Sequence, residues 1–217
     1  RRALEVEPHS VPDLDRLSAI FLKLKALPDA VKTLEAKTQV QLQMEERELA
    51  AATMFEIADL WRNQPGKNDL AGAALERVLE IEPSNRKAYE QALELFGKAN
   101  DWRGYAQVMD RFLPNLVSDD EKVATLRELG RVQEQRLGAK QVAFLQYCRA
   151  LQINPAVDEV REQVERLANE TGSYDELAAV YEEIVENVPR GPLAERLYLT
   201  LAQVQDTKLD DAEAAET

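Results

Sequence analysis

The stretch RVLEIEP, residues 77–83, decides the fold, because nearly the same seven residues are repeated as RALQINP at 149–155. A third version, RALEVEP, occupies residues 2–8. Each version is an apolar helical pattern that stops at a proline, which cannot continue a helix but can begin the next one. The heptapeptide therefore predicts the last turns of a helix followed by an exit, repeated along the chain.

The interval between these prolines defines a repeat. Pro155 follows Pro83 by 72 residues, and the same offset aligns residues 129–143 with residues 201–215. Pro8 precedes Pro83 by 75 residues, so the first unit is about three residues longer. Each unit contains two halves that end at a proline or a turn, which gives a basic period of about 36 residues, typical of stacked helical hairpins.

Apolar residues within each half recur at helical spacing. Tyr89, Ala92, Leu93 and Phe96 form one such stripe, and Trp102, Tyr105, Val108, Met109 and Phe112 form the next. The sequence predicts first helices near 11–26, 45–64, 84–99, 119–136, 156–171 and 190–206. It predicts second helices near 1–7, 28–43, 67–82, 101–117, 138–153 and 173–188, and a further one from about 208.

Polar residues mark the predicted helix starts. Ser10, Ser118 and Ser173 each precede an acidic residue by three positions, the spacing of a capping box. Asp101 is placed to cap the helix that follows it. Residues 65–68, with the sequence PGKN, form a predicted hairpin loop. No linker is long enough to separate domains, so we expect residues 1–217 to form one helical array of about six hairpins.

Composition and charge limit the function. The 217 residues are 45% apolar and 31% charged, with only eight glycines and a net charge of −13. An acidic chain repels phosphate, so nucleic acid and anionic membranes are poor partners. No apolar run approaches the length of a membrane span. We expect a cytoplasmic protein, and both ends of the sequence lie inside helical patterns, which predicts a piece of a longer protein.

Residues capable of chemistry are few. His9 is the only histidine and Cys148 the only cysteine, so neither has a partner of its own kind for a metal site or a disulfide. The PGKN loop lacks the upstream glycine and the hydroxyl of a phosphate-binding loop. Trp61 and Trp102 are predicted to pack in the core or between hairpins. The sequence predicts no catalytic residue, no cofactor and no metal ion, and therefore no enzyme.

These observations together resemble the tetratricopeptide repeat (TPR) family, whose units are helix–turn–helix hairpins. The unit ending at Pro155 carries the small and aromatic residues that the family favours, namely Leu129-Gly130, Ala143, Tyr147 and Ala150. The unit ending at Pro83 offers Ile57-Ala58, Ala71, Leu75 and Val78 at the same places. This chain has no tryptophan at position 4 of its units, where the family favours one. The resemblance implies an all-α, right-handed superhelical α-solenoid of stacked antiparallel hairpins.

The resemblance also implies a binding surface. Proteins of this family hold peptides or helices of other proteins in a concave groove lined by the first helices. The positions that correspond to this groove are Asp59, Arg62, Lys87, Glu90, Glu94, Arg127, Arg131, Glu162, Arg166 and Arg196. We therefore expect a protein–protein interaction scaffold whose partner is a protein segment or a second copy of the chain. The alternative is a module that regulates or positions a catalytic or signalling domain elsewhere in the parent protein.

Four arginines stand out among the groove positions. Arg127 and Arg131 are four residues apart on one predicted helix, so they project on the same side. Arg166 and Arg196 take comparable places in later hairpins. One hypothesis is a basic stripe that pairs with carboxylates of a partner, a task suited to the forked donors of arginine. The other is that each arginine pairs with a nearby acid such as Glu128, Glu134 or Glu162 on a solvated face.

Overall fold

A computed structural model describes residues 10–206, and within that range the chain forms α-helices, one short 3-10 helix and no strand. The predicted all-α class is confirmed. The α-helices are α1 (Val11–Lys23), α2 (Leu27–Gln43), α3 (Arg47–Arg62), α4 (Asn68–Ile81), α5 (Arg86–Ala99), α6 (Trp102–Phe112), α7 (Asp119–Gln135), α8 (Lys140–Ile153), α9 (Asp158–Thr171), α10 (Tyr174–Asn187) and α11 (Pro192–Val204).

The chain divides into two compact units, and the boundary falls between Asn115 and Leu116. The first unit contains the hairpins α1–α2, α3–α4 and α5–α6, and the second contains α7–α8 and α9–α10 followed by α11. Within each unit, every helix packs against the next one along the chain. The described residues therefore form the TPR-like helical repeat that the sequence predicted.

The proline-ended heptapeptides behave as predicted. Val78 and Leu79 of the first are 0% and 2% exposed, and Ala150 and Leu151 of the second are both 0% exposed. Pro83 stands three residues before the start of α5, and Pro155 stands three residues before the start of α9. The repeated sequence is thus the buried end of a second helix and the exit into the next hairpin. RALEVEP, residues 2–8, and the helices predicted near 1–7 and from 208 lie outside the described residues.

Two predicted helices are shorter than expected. α1 ends at Lys23 instead of residue 26, because Lys25 turns into the left-handed region with φ of 58°. The Ala26 N–H then donates to the Phe21 carbonyl, which closes the end of the helix. α6 ends at Phe112 and continues as a 3-10 helix over Leu113–Asn115, because Pro114 has no N–H to extend the α-helical ladder.

All four predicted capping residues occupy N-cap positions, but not all of them act through their side chains. Ser10, Ser118 and Ser173 all occupy the N-cap position. Only the Ser118 hydroxyl accepts from a backbone N–H, that of Glu121, at 3.5 Å. The Ser173 hydroxyl instead accepts from Gln141 Nε2 at 2.8 Å and thereby links α10 to α8. Asp101 caps α6 as predicted, since its carboxylate accepts from the Gly104 N–H at 3.0 Å.

A close approach inside the α7–α8 hairpin explains Gly130. A Cβ added to Gly130 would lie 2.6 Å from the Tyr147 ring, and the three nearest heavy atoms all belong to that ring. Ala143, one helical turn before Tyr147 on α8, is fully buried, and the tyrosine fills the space that the glycine leaves.

Candidate functional site

The first helices of neighbouring hairpins are joined side by side in the second unit. Arg127 of α7 pairs with Glu159 of α9. Arg166 of α9 reaches in the opposite direction, and its Nη2 lies 2.8 Å from Glu134 Oε2 of α7. These two ion pairs run between α7 and α9, so the two helices present a common face, as expected for the first helices of a TPR-like array.

A cleft of about 480 Å³ opens on this face of the second unit. Its α7 wall carries Arg127 and Arg131, and its α9 wall carries Glu159 and Glu162. Tyr147 of α8 contributes to the floor. The remaining lining residues are Ala124, Glu128, Gln135 and Gln163. Two arginines and three glutamates therefore line the cleft, which makes it a surface of mixed charge and not a basic stripe standing alone.

Each of the four predicted arginines lies beside a carboxylate. Arg131 makes two hydrogen bonds to Glu128, from Nε at 2.7 Å and from Nη2 at 2.6 Å. Besides its ion pair with Glu134, Arg166 makes a second one, in which its Nη1 donates to Glu170 at 2.7 Å. The hydrogen bond to Glu134 is the main reason that the pKa of Arg166 is raised above its ordinary value.

Arg196 lies apart from the cleft. Its Nη1 is 3.7 Å from Asp158 Oδ1, and both side chains are more than half exposed. Asp158 also accepts from Arg161 Nη2 at 2.7 Å. The structure thus brings Arg127, Arg131 and Arg166 together on α7 and α9 and places Arg196 on α11 against the first turn of α9.

The predicted groove residues of the first unit form a second face on α3 and α5. Lys87 Nζ lies 4.9 Å from the centre of the Phe55 ring, a cation–π contact between the two helices. Arg62 donates to Asp59 at 2.6 Å and to Gln91 at 3.0 Å. The remaining two, Glu90 and Glu94, pair with Arg86 and Lys98 of their own helix.

The 72-residue offset relates the two faces contact by contact. Phe55 and Lys87 correspond to Arg127 and Glu159, so a cation–π contact in one unit stands where the other unit has an ion pair. Arg62 corresponds to Glu134, but Arg62 donates to the neutral Gln91 of α5, whereas Glu134 forms an ion pair with Arg166 of α9. The groove positions predicted from the sequence do not include Glu159, although its alignment with Lys87 is a signal that could have found it.

The floor of the cleft is largely shielded from solvent. Tyr147 is 6% exposed. Burial is the main cause of a raised pKa for its hydroxyl, and the nearby carboxylate of Glu134 raises that pKa further. The phenol therefore stays neutral at physiological pH and can offer an aromatic edge and a hydroxyl group to a bound segment.

The residues that could carry chemistry do not form a reactive site in the part of the chain that the structure describes. Burial raises the pKa of the Cys148 thiol to about 12, so the thiol is protonated at neutral pH and is a poor nucleophile. Among residues 10–206, no three His, Cys, Asp or Glu side chains are arranged to hold a metal ion. His9 lies outside this range. The PGKN stretch, residues 65–68, connects α3 to α4 as predicted, and its last residue, Asn68, begins α4.

None of the helices within residues 10–206 combines the length and the apolar character needed to cross a membrane. No family of known proteins matches the sequence, and a comparison with curated proteins finds no relative.

Several solved structures contain similar helical arrays. A tetratricopeptide repeat protein from Parabacteroides merdae ATCC 43184 is 19% identical, over 94% of this chain and 76% of that one, with a TM-score of 0.37. YrrB, a TPR protein with an unusual peptide-binding site, is 17% identical over 82% and 97% of the two chains, with a TM-score of 0.38. MamA is 12% identical over 84% and 98%, with a TM-score of 0.37. At these TM-scores the TPR-like description rests on the hairpins of the chain itself.

Proposed function

We propose that this chain is a protein–protein interaction scaffold and that the cleft between α7 and α9 holds a segment of a partner protein. The observation that carries the proposal is the cleft of about 480 Å³ whose walls bear charges of opposite sign above a tyrosine floor. Binding sites for extended segments combine such a concave surface with a few polar groups that fix orientation.

The charges on the two walls define the partner that fits. The α7 wall carries Arg127, Arg131 and Glu128 and is net positive. The α9 wall carries Glu159 and Glu162 and is net negative. A segment lying along the cleft would therefore place acidic side chains toward α7 and basic or amide side chains toward α9. A partner carboxylate can replace Glu159 at Arg127 with little loss, because exposed ion pairs are worth only about 0–1 kcal/mol.

The face on α3 and α5 supports the proposal as a second, separate contact surface. Lys87, Glu90, Glu94, Asp59 and Arg62 all lie on these two first helices. They carry two positive and three negative charges, and Lys87 and Phe55 add an aromatic contact. Each face lies within its own unit, so each can hold a segment independently of the other.

Affinity capture with charge-reversed variants tests the proposal. Wild-type chain and the double variant Arg127→Glu, Arg131→Glu are used as baits in an extract of the source cells. The matched control is Arg136→Glu, Arg149→Glu, which makes the same change of charge at two exposed arginines outside the cleft lining. We expect specific partners to be lost with the first variant and kept with the control. Equal recovery with both folded variants would refute the cleft as the binding site.

A further inference from the structure

The second helices α2 and α4 stand apart, unlike the other consecutive second helices within each unit. α4 contacts α6 in the first unit and α8 contacts α10 in the second, but no comparable contact joins α2 to α4. A cleft of about 510 Å³ opens between α2 and α4, and α3 forms its floor. We call this space the α2–α4 cleft. It lies within the first unit and shares no residue with the α7–α9 cleft.

Side chains bridge the corresponding space between the other second helices. Arg111 Nη1 of α6 lies 3.5 Å from Glu80 Oε1 of α4 and donates to the Glu76 carbonyl at 3.4 Å. The places of Glu80 and Arg111 are taken 72 residues later by Gln152 of α8 and Glu183 of α10. Gln152 Nε2 donates to Glu183 Oε2 at 2.5 Å. Side chains therefore tie α4 to α6 and α8 to α10.

The bridge at the same place between α2 and α4 is not made. An offset of 41 residues aligns the buried residues of the two helices, namely Ala30 with Ala71, Leu34 with Leu75 and Val40 with Ile81. At this offset Gln39 takes the place of Glu80, and Arg77 stands on α4 where Arg111 stands on α6. Arg77 does not reach across to α2, because its Nη1 donates to Glu80 of its own helix at 2.5 Å. The space between α2 and α4 therefore stays open.

Apolar side chains form the floor and one end of the α2–α4 cleft. Met54 and Ile57 of α3 are 7% and 2% exposed. Trp61 of α3 and Leu70 of α4 are half-buried at the end next to the turn that joins these helices, and Ala73 is exposed on the α4 wall. A cleft of this size and lining is suited to shielding an apolar side chain of a ligand from water.

The opposite end of the α2–α4 cleft is polar and carries an unpaired acid. Glu35 of α2 and Arg77 of α4 line this end. Arg77 is paired with Glu80, whereas the exposed Glu35 forms no hydrogen bond or ion pair with any residue in the range 10–206. The charge that is left over at this end is therefore negative, as is the net charge of −13 of the whole chain. A cation is the complementary group.

The length of the α2–α4 cleft limits what fits. Leu70 and Arg77 lie two helical turns apart on α4, which corresponds to roughly 10 Å along a helix. About three residues of an extended chain span this distance. A short extended segment can therefore reach from the apolar end to the polar end.

We propose that the α2–α4 cleft binds an extended segment of a partner protein. The segment places a large apolar side chain over Trp61 and a lysine or arginine, two or three residues away, beside Glu35. Because α2 and α4 are consecutive second helices, no helix of the repeat comes between them. The site does not depend on the function proposed for the α7–α9 cleft.

Peptide selection tests this ligand chemistry. Short random peptides displayed on phage are selected on the full chain and then depleted on the Ala73→Trp variant, in which a ring fills the cleft from an exposed position. We expect the peptides that need an open cleft to share an aromatic or large aliphatic residue and, two or three positions away, a lysine or arginine.

Matched variants then locate the two contacts of a selected peptide by fluorescence anisotropy. Glu35→Gln should weaken binding about fivefold, the upper end for an exposed ion pair. Glu48→Gln should leave binding unchanged, since it removes the same charge from an exposed position on α3 outside the cleft lining. Replacing the large apolar residue of the peptide with alanine should weaken binding about tenfold.

The two tryptophans report the place of binding. In NMR spectra of the isotope-labelled chain, the peptide should shift the indole N–H signal of Trp61. The signal of Trp102, which packs on Tyr105 of α6, should stay where it is. A shift at Trp102 with none at Trp61 would contradict the proposal.

Four further results would overturn the proposal. The first is that no selected peptide distinguishes the wild type from the folded Ala73→Trp variant, or that the peptides that do so lack a basic residue. The second is equal binding to Glu35→Gln and Glu48→Gln. The third is loss of the peptide in Arg127→Glu, Arg131→Glu, which would assign it to the α7–α9 cleft. The fourth is a self-associated chain in sedimentation that becomes monomeric with Ala73→Trp, since a second copy would then be the occupant.

Discussion

Gly130 and Tyr147 show how single residues set the spacing of the helices. The tyrosine ring occupies the place where a Cβ of Gly130 would stand, at 2.6 Å. The same ring forms the floor of the α7–α9 cleft. The repeat pattern was sufficient to find both residues, because small and large positions recur every 72 residues. It could not show which pair is in contact, because that depends on the stagger of α7 against α8.

Ala143 gives a direct test of this packing. Ala143→Phe should lower the free energy of unfolding by about 1–3 kcal/mol, because the fully buried site has no room for a ring. Val142→Phe is the control, since the neighbouring side chain is 39% exposed and the ring can extend into solvent. Thermal and urea melts of the two variants are compared with the wild type. Equal stability of all three chains would show that the helix phase is misassigned.

Cys148 provides a chemical probe of burial. Its pKa is raised from 9.0 to about 12 in the folded chain, chiefly by burial. The protonated thiol therefore makes its full contribution to the free energy of unfolding below pH 9. That contribution is lost as the pH rises toward 12. We expect iodoacetamide to alkylate Cys148 very slowly at pH 8 and rapidly in urea. Alkylation of the native chain at the rate of a free thiol would contradict this burial.

Pairs of helices carry the candidate site. Face residues could be predicted from the repeat because first helices recur at fixed intervals, and all the predicted groove residues do lie on first helices. The partners of those residues could not be predicted, because long side chains such as Arg127 and Glu159 reach between hairpins. The turns at Lys25 and Glu45 could not be predicted either, because both residues have a positive φ and neither is the glycine or asparagine that usually signals such a turn.

The ion pair between Arg166 and Glu134 should link α7 to α9 measurably. A double-mutant cycle with Arg166→Ala and Glu134→Gln should give a coupling energy of about 1 kcal/mol, the upper end of the range for surface pairs, because Glu134 is mostly covered. The comparison pair is Arg86 and Glu90, which are both well exposed on one helix. We expect about 0.3 kcal/mol there. A coupling energy between Arg166 and Glu134 no larger than that of Arg86 and Glu90 would contradict a role for this ion pair in joining α7 to α9.

The whole molecule carries a net charge of −13, which bears on its choice of partner. At this charge we expect no binding to duplex DNA at physiological salt, because the phosphates and the chain repel each other. A gel-shift titration measures this, with the Arg127→Glu, Arg131→Glu variant run beside the wild type. Binding by the wild type that the variant loses would show that the local arginines outweigh the overall charge.

Site-specific crosslinking tests the central claim most directly. A photoreactive phenylalanine is placed at Gln135, which lines the α7–α9 cleft, or at Leu145, an exposed position on α8 outside it. The proposed scaffold predicts that position 135 crosslinks to a partner protein, that position 145 does not, and that Arg127→Glu with Arg131→Glu abolishes the product. A partner that crosslinks at 145 and not at 135, unaffected by the charge reversal, would contradict it.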